Sequence, residues 1–358
     1  MLRCGMSSHN QPPQLSPTRN AALFRPRSVA LVAEGDTHDA YVVARNMVAS
    51  GFSGALYAVG VSALGLEAVA GIADLPATPD LAVLCMGGPA LAAAMAALAQ
   101  RGCRAAVVTG PAPDLAEISA RTGVRALGPD SFGLCVPGLR LNASLAHLQP
   151  SPGRLALVSQ SASTSRAVLD WAAAEGLGFS HVIGVGGNAN VGFATGLDWL
   201  ARDPDTGAVL LDVQRIRIRR GFISAARAVA RTRPVVALRA GSRGPGGGSG
   251  LGDAVMDAAL RRAGVLRVSG LEDLLVAAET LARVRVRSTD LRHGNRVALV
   301  SNGAGIARIG SDALIGGGGR LAELTPAARE SLQVHLPDAE PGRVFLGAVG
   351  VGKIPRRI

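Results

Sequence analysis

A short apolar run, a turn of small polar residues and then apolar residues at helical spacing form the most informative pattern in the chain. The run Leu155–Val158 has the length of a strand, and Ser159-Gln160-Ser161 follows it. Apolar residues then share one face of a predicted helix: Ala167, Val168, Trp171 and Ala172. Strand, turn and helix make half of a βαβ unit. The backbone N–H groups at such a helix N-terminus favour a phosphate; plain N-capping by Ser161 or Ser163 is the alternative.

The same pattern recurs at two other places. Residues 296–305 repeat it almost residue for residue, and residues 28–36 are a looser copy. Because each copy can open an α/β unit, the sequence predicts three such units in series. We expect a disordered lead-in over residues 1–20, and units over 21–149, 150–289 and 290–358. The third is too short for a complete doubly wound sheet, since such domains need about 100 residues or more.

Short apolar strands alternate with helices in the first two units, which is typical of a doubly wound parallel sheet. Residues 142–153, with Pro150 and Pro152, are predicted to be a linker between the units. Predicted strands of the first unit are Val29–Ala33, Ala55–Val59, Leu81–Met86, Ala105–Thr109 and Arg125–Leu127. Those of the second are Leu155–Val158, His181–Val185, Val209–Val213, Val235–Leu238 and Val265–Val268.

The net charge of +11 is the compositional feature that invites a nucleic-acid hypothesis. The positive charge is almost entirely arginine, since Lys353 is the only lysine, and aromatic residues make up only 3% of the chain. Without aromatic residues between the arginines there is no surface for base stacking, so we expect no nucleic-acid partner. The cluster Arg215, Arg217, Arg219, Arg220 follows a predicted strand and is either a solvated face or an anion contact.

The cysteines and the apolar segments indicate the cellular compartment in which the protein is expected. Cys4, Cys85, Cys103 and Cys135 form no CxxC pair, which fits a reduced cytoplasmic protein. The first twenty residues lack a signal-peptide core, and no apolar run has membrane-spanning length, so we expect no membrane partner.

Several segments together resemble the NDP-forming acyl-CoA synthetases, relatives of the succinyl-CoA synthetase α-subunit. The resemblance spans roughly residues 20–335 and keeps the domain order of the family. The segments that carry it are residues 22–30, 128–134, 141–144, 156–161, 170–172, 178–181, 203–205 and 262–267.

The resemblance implies a fold and a set of ligand-binding residues. The implied fold is α/β, with a Rossmann-like CoA-binding domain followed by flavodoxin-like doubly wound parallel-sheet domains. Ser159, Gln160 and Ser161 match the phosphate-holding turn of the family. CoA or acyl-CoA would lie at the strand ends of the first domain, against Ala33, Gly35, Asp36, Val59, Cys85 and Met86. Glu34, Asp36 and Asp39 would repel its pyrophosphate, so we expect weak binding.

Two catalytic groups of the family are not found. The family passes a phosphoryl group through a histidine, which lies in a loop that corresponds here to Gly246–Gly250, without a histidine. A glutamate of the family corresponds to Gln214, and an amide cannot act as a general base. We therefore assign no catalytic residue, and no metal site is predicted. His147 and His181 lie outside that loop and are expected to be hydrogen-bonded structural residues.

Three functional hypotheses follow. The first is a CoA- or acyl-CoA-binding protein, a pseudoenzyme that lacks the phosphohistidine step, as in acetyltransferases that carry a degenerate synthetase region. The alternative is a working ADP-forming acid–CoA ligase of acetate–CoA ligase type, with a separate ATP-grasp subunit or self-association, because the sequence contains no ATP-grasp part. The third, a Rossmann dehydrogenase, is the weakest because no G-x-G-x-x-G follows the first strand.

Overall fold

The computed structural model describes residues 17–62, 65–239, 250–284, 296–299, 301, 304–323 and 325–335. The chain divides into two compact units, with the boundary between residues 286 and 287. The larger unit contains the two larger sheets, and the smaller unit contains a two-stranded sheet.

The first sheet is a six-stranded parallel sheet with the strand order β3-β2-β1-β4-β5-β6, the order of a Rossmann-like fold. Its central strands are short runs of Ala, Val and Leu that are buried on both faces, as a sheet covered by helices requires. The strands are β1 (Ser28–Ala33), β2 (Ala55–Val59), β3 (Glu67–Val69), β4 (Leu81–Cys85), β5 (Ala105–Val108) and β6 (Arg125–Leu127). The helices are α1 (Pro17–Phe24), α2 (His38–Ala49), α3 (Gly88–Gln100) and α4 (Leu115–Thr122).

The second sheet has seven strands in the order β13-β12-β11-β9-β10-β7-β8. Its five parallel strands have the flavodoxin-like order, and an antiparallel hairpin, β7–β8, extends the edge at β10. The strands are β7 (Gly133–Val136), β8 (Leu141–Ser144), β9 (Pro152–Ser159), β10 (Phe179–Gly184), β11 (Ala208–Asp212), β12 (Val235–Leu238) and β13 (Leu266–Val268). The helices are α5 (Ala162–Ala174), α6 (Phe193–Leu200), α7 (Arg219–Ala230), α8 (Gly250–Ala263) and α9 (Leu271–Arg283). The predicted α/β fold class is confirmed.

Two local predictions are wrong. The segment expected to be a linker begins inside β8, where Asn142 and Ser144 are buried and hydrogen-bonded to each other at 2.6 Å. Their polar side chains satisfy each other, so they can lie in a buried strand. The expected disordered lead-in ends earlier, because α1 begins at Pro17; residues 1–16 lie outside the described residues. The domain limits themselves stay predictions.

One of the hydrophobic clusters of the larger unit contains buried residues from both sheets. Asn46 of α2 connects them, because its Nδ2 donates to the carbonyl oxygens of Ser144 at 2.9 Å and Ala146 at 2.7 Å. Asn46 is 2% exposed. A buried amide with both bonds satisfied fixes the position of α2 on the edge hairpin.

The smaller unit begins with a strand–helix–strand segment, as the third copy of the pattern predicts. It consists of β14 (Arg296–Val297), α10 (Ala304–Gly316), β15 (Arg320–Leu321), which pairs parallel with β14, and α11 (Pro326–His335). The rest of the predicted third unit, from residue 336 onward, lies outside the described residues. None of the described helices is long and apolar enough to cross a membrane.

Candidate functional site at the carboxyl ends of the strands

The predicted strand, turn and helix around Ser159 are confirmed. Strand β9 ends at Ser159, and α5 begins at Ala162 with Ser161 as its N-cap. The Ser161 Oγ accepts a hydrogen bond from the Thr164 N–H at 3.1 Å and contacts the Ser163 Oγ at 2.9 Å. One capping oxygen satisfies one of the free N–H groups of a first helical turn, so the others remain for an anion. N-capping and phosphate binding are therefore compatible at this turn.

Ser159 supports the turn from the protein interior. Its side chain is buried, its Oγ donates to the Asp212 Oδ2 at 2.7 Å, and the Ser161 N–H donates to the same Oγ at 3.0 Å. Asp212 ends the neighbouring strand β11 and is fully buried. Burial raises the pKa of Asp212, and hydrogen bonds from Ser159, Thr164 and the Ser161 backbone oppose that rise. Ser159 and Asp212 thus form an internal support for the turn.

The side chain of Gln160 connects three loops. Its Oε1 accepts from the backbone N–H groups of Gln214 at 2.9 Å and Arg215 at 2.8 Å, and its Nε2 donates to the Gly186 carbonyl at 3.2 Å. These loops follow β9, β10 and β11, whose carboxyl ends meet at this edge of the sheet. Both polar atoms of the Gln160 side chain, Oε1 and Nε2, are therefore hydrogen-bonded within the protein. Any ligand of this turn would therefore meet backbone N–H groups first.

The structure describes one of the two positions that depart from the family pattern, Gln214, but not the loop Gly246–Gly250 as a whole. Gln214 is exposed in the loop after β11, at the same edge as Ser159–Ser161, which is where the resemblance puts the glutamate of the family. The loop Gly246–Gly250 lies, except for Gly250, outside the described residues. The roles inferred for these positions remain predictions.

A cavity lined by arginines lies beside this turn. It has a volume of about 540 Å³, and its described lining consists of Val213, Gln214, Arg215, Ile216, Arg217, Arg219, Arg239 and Met256. The sequence signal for it was the arginine cluster after β11, for which a solvated face and an anion contact were both open. Arg239, which follows β12, lies far from that cluster in sequence and joins it only through the fold.

The six residues expected to hold CoA lie at one edge of the first sheet. Ala33 is directly opposite Cys85 in the sheet, and Val32 is opposite Val59, so three strand ends meet there. Ala33, Val59 and Cys85 are buried, Met86 is half-buried, and Gly35 and Asp36 are exposed in the turn after β1.

Two contacts close this edge of the first sheet. The Asp36 Oδ1 accepts from the Ser62 N–H at 2.8 Å, so this carboxylate is engaged by the loop after β2. Gly60 has φ +71°, and a Cβ there would lie 2.3 Å from the Ala33 carbonyl oxygen. Only glycine fits such a position, which lets the two loops approach closely.

Cys85 is the cysteine at the edge of the first sheet where CoA is expected. Burial raises the pKa of Cys85 to about 11, so its thiol stays protonated at neutral pH and is a poor nucleophile. Among the described residues, no group of three or more His, Cys, Asp and Glu side chains is arranged to hold a metal ion.

The two histidines outside the loop are hydrogen-bonded. His147 Nε2 lies 2.5 Å from the Asp170 Oδ1 on the exposed side of α5. His181 is buried; the Trp199 Nε1 donates to its Nε2 at 3.2 Å, and burial lowers its pKa. An acceptor Nε2 and a lowered pKa both indicate the neutral ring. The predicted hydrogen bonding of both histidines is confirmed.

Comparisons with known proteins agree with this architecture. Residues 152–281 match the family described as succinyl-CoA ligase like flavodoxin domain. The chain is 28% identical to an ADP-forming acetate–CoA ligase I of Archaeoglobus fulgidus, over 88% of this chain and 48% of that protein. It is 26% identical to the α subunit of ADP-forming acetate–CoA ligase I of Pyrococcus furiosus, over 82% of this chain and 68% of the subunit.

A solved structure gives the same fold. It is an acetyl-coenzyme A synthetase of Ca. Korarchaeum cryptofilum in complex with phosphate and ADP, with a TM-score of 0.81 and 24% identity, over 92% of this chain and 76% of that one. This chain spans about half the length of the first relative and two thirds of the second. The domain match, the named relatives and the two sheet topologies agree, and together they show that the chain is similar to the NDP-forming acyl-CoA synthetases.

Proposed function

We propose that this chain is an α-type subunit of an ADP-forming acid–CoA ligase and that it acts with a separate ATP-grasp subunit. The observation that carries the proposal is the supported turn Ser159–Ser161 at the N-terminus of α5, in a chain with the sheet order of such an enzyme. The relatives named as acetate–CoA ligases support the reaction type.

The turn suits one step of this chemistry. An acyl phosphate carries its negative charge on phosphate oxygens, and the N–H groups at the start of α5 together with the helix dipole stabilise such a charge. Asp212 and Ser159 hold the Ser161 N–H in place, since the Ser159 Oγ bonds to both. When the CoA sulfur attacks the acyl carbon, phosphate leaves, and the same N–H groups hold the departing dianion.

The strand ends of the first sheet fit CoA only in part. The helix N-terminus of α2 and the open space beside Gly35 suit a phosphate that lies close to the backbone. The exposed carboxylate of Glu34 and the half-buried carboxylate of Asp39 oppose it. We therefore propose that CoA binds here against Ala33, Gly35, Asp36, Val59, Cys85 and Met86 and that its affinity is weak.

The test combines the chain with an ATP-grasp subunit of an ADP-forming ligase, ATP, magnesium, acetate or another acid, and CoA, and measures thioester formation. We expect CoA thioester, and we expect less of it from Ser161→Ala, which loses the cap of α5. Ser224→Ala, an exposed serine of α7, is the matched control. Binding of CoA without any thioester, with every acid tried, would reject the ligase function.

A second candidate function is a CoA- or acyl-CoA-binding protein without the phosphohistidine step. The observation that favours it is the sequence itself, in which Gly246–Gly250 contains no histidine and Gln214 stands at the glutamate position. Labelled ATP with an ATP-grasp subunit distinguishes the two functions, because phosphohistidine is labile in acid. Acid-labile label on this chain supports the ligase, and its absence together with measurable CoA binding supports the binding protein.

A further inference from the structure

We propose that the arginine-lined cavity after β11, beside the turn at Ser159–Ser161, is a binding site for a phosphate-bearing polyanion. The cavity has a volume of about 540 Å³, and no acidic side chain is among its described lining residues. Neither a ligase activity nor a histidine is required for such a site, so the proposal goes beyond the proposed function.

Three arginines of the cavity carry uncompensated charge. Arg215, Arg217 and Arg219 are exposed, and none of them forms an ion pair with a described residue. Positive side chains that line one cavity repel one another, and a bound anion relieves that repulsion. An isolated surface arginine needs no such explanation, but three in one cavity wall favour a bound anion.

Arg239 differs from the other three. Its guanidinium lies 2.8 Å from the Asp253 Oδ1, and Asp253 also binds Arg267. Asp257, the next acidic residue of α8, lies in contact with Arg261 and Arg267. Asp253 and Asp257, the acidic residues of α8, are thus both already engaged by arginines.

The start of α7 adds to the positive potential. Ile218 is its N-cap residue, supplies no side-chain hydrogen bond to the first turn, and is 70% exposed. Arg219 and Arg220 are the first helical residues, and the helix has no acidic residue in its first turn. Cations at the positive end of a helix dipole are destabilising, whereas an anion there is stabilising. The uncapped N–H groups and the arginines therefore favour the same kind of ligand.

Gln160 fixes the side of the cavity that faces the turn. Because its Oε1 binds the backbone N–H groups of Gln214 and Arg215, the first residues of the arginine loop are held in place before any ligand arrives. A preordered loop loses less entropy on binding. Guanidinium groups match phosphate oxygens with paired hydrogen bonds, and a phosphate group carries more charge than a carboxylate. Several arginines in a cavity of this size fit a ligand with more than one phosphate.

The experiment measures binding of pyrophosphate to the full chain by calorimetry at low ionic strength. Orthophosphate, ADP and CoA are separate arms, which distinguish an inorganic from an organic phosphate, and succinate is the carboxylate arm. The test variant is Arg217→Gln combined with Arg219→Gln. Arg227→Gln is the matched control, because Arg227 is an exposed arginine at the opposite end of α7.

We expect pyrophosphate to bind more tightly than orthophosphate or succinate. We expect the double variant to weaken it by about tenfold, since each partly exposed charge-assisted contact contributes a few-fold, and Arg227→Gln to leave it unchanged. Raising the salt concentration weakens the interaction. Without ligand, the double variant should have a higher Tm than the wild type, because like charges at the start of α7 have been removed, which also shows that it folds.

Three results would overturn the proposal. They are no pyrophosphate binding at low salt, equal weakening by Arg227→Gln and by the double variant, and tighter binding of succinate than of pyrophosphate. The ligase function is tested separately by thioester formation, so either proposal can fail without the other.

Discussion

Replacement of Gln160 by alanine tests whether one side chain holds the three loops of the candidate site together. The substitution removes the bonds to the Gln214 and Arg215 N–H groups and to the Gly186 carbonyl. Each net hydrogen bond contributes about 0.5–1.5 kcal/mol, so the three together contribute about 1.5–4.5 kcal/mol. The site is half-buried and water can replace part of the loss, so we expect Gln160→Ala to lower the unfolding free energy by about 1.5–3 kcal/mol.

Urea denaturation of the wild type, Gln160→Ala and Gln160→Glu measures this effect. The glutamate keeps an acceptor for the two N–H groups but places an oxygen against the Gly186 carbonyl, so its stability should lie between the other two. Pyrophosphate affinity should fall in Gln160→Ala, because the loop at Arg215 is no longer held. A Gln160→Ala protein within about 0.3 kcal/mol of the wild type would refute the assigned role, since a change that small is typical of a surface substitution.

Three further predictions concern the supports of the two strand edges. Burial raises the pKa of Asp212 above its unfolded value, so its contribution to stability is present below the usual carboxylate pKa and is lost as pH rises through the folded pKa. Asp212→Asn should therefore flatten the fall of the unfolding free energy with rising pH, as measured by urea denaturation at several pH values. An unchanged pH profile of stability would contradict this. Asn46→Leu removes the amide donor to the Ser144 carbonyl and leaves the Ala146 carbonyl only the longer bond from the Arg45 Nη2 at 3.4 Å. It should cost about 1–3 kcal/mol in thermal unfolding, whereas a loss under about 0.5 kcal/mol would show that water replaces the amide. Gly60→Ala places a Cβ against the Ala33 carbonyl at a positive φ and should cost more than about 1 kcal/mol and weaken CoA binding, while the control Gly138→Ala, with open space around its Cβ, should do neither.

The strands could be predicted because a strand that is buried on both faces is visible in the sequence as an unbroken apolar run. Runs such as Leu81–Cys85 and Ala105–Val108 are apolar at every position, and a strand covered on both faces needs that pattern. The hairpin β7–β8 could not be assigned to the second sheet in the same way. Its polar residues Asn142 and Ser144 suggest a loop, and only the fold shows that the Cys135 Sγ and these two side chains lie within hydrogen-bonding distance.

The turn of the candidate site could be located from the sequence, but the roles of its side chains could not. The partners of Gln160 are 26 to 55 residues away along the chain, so no local pattern reveals that its amide is engaged. Asp212 is the residue that the sequence interpretation missed. Its signal was present, because an acidic residue closes the apolar strand Ala208–Asp212 at its carboxyl end. The length of the chain between Ser159 and Asp212 hides their contact.

The charges at the two strand edges decide where an anion is held. At the first sheet, the carboxylate of Asp36 lies in the turn where a phosphate would approach, and although the Ser62 N–H binds it, its negative charge remains. At the second sheet, Arg215, Arg217 and Arg219 surround a cavity without a described acidic residue, and Gln160 ties that loop to the turn before α5. A small phosphate-bearing anion is therefore attracted at the second edge and repelled at the first. For pyrophosphate, this difference in charge predicts that removing the arginines weakens binding more than removing any single residue of the first sheet.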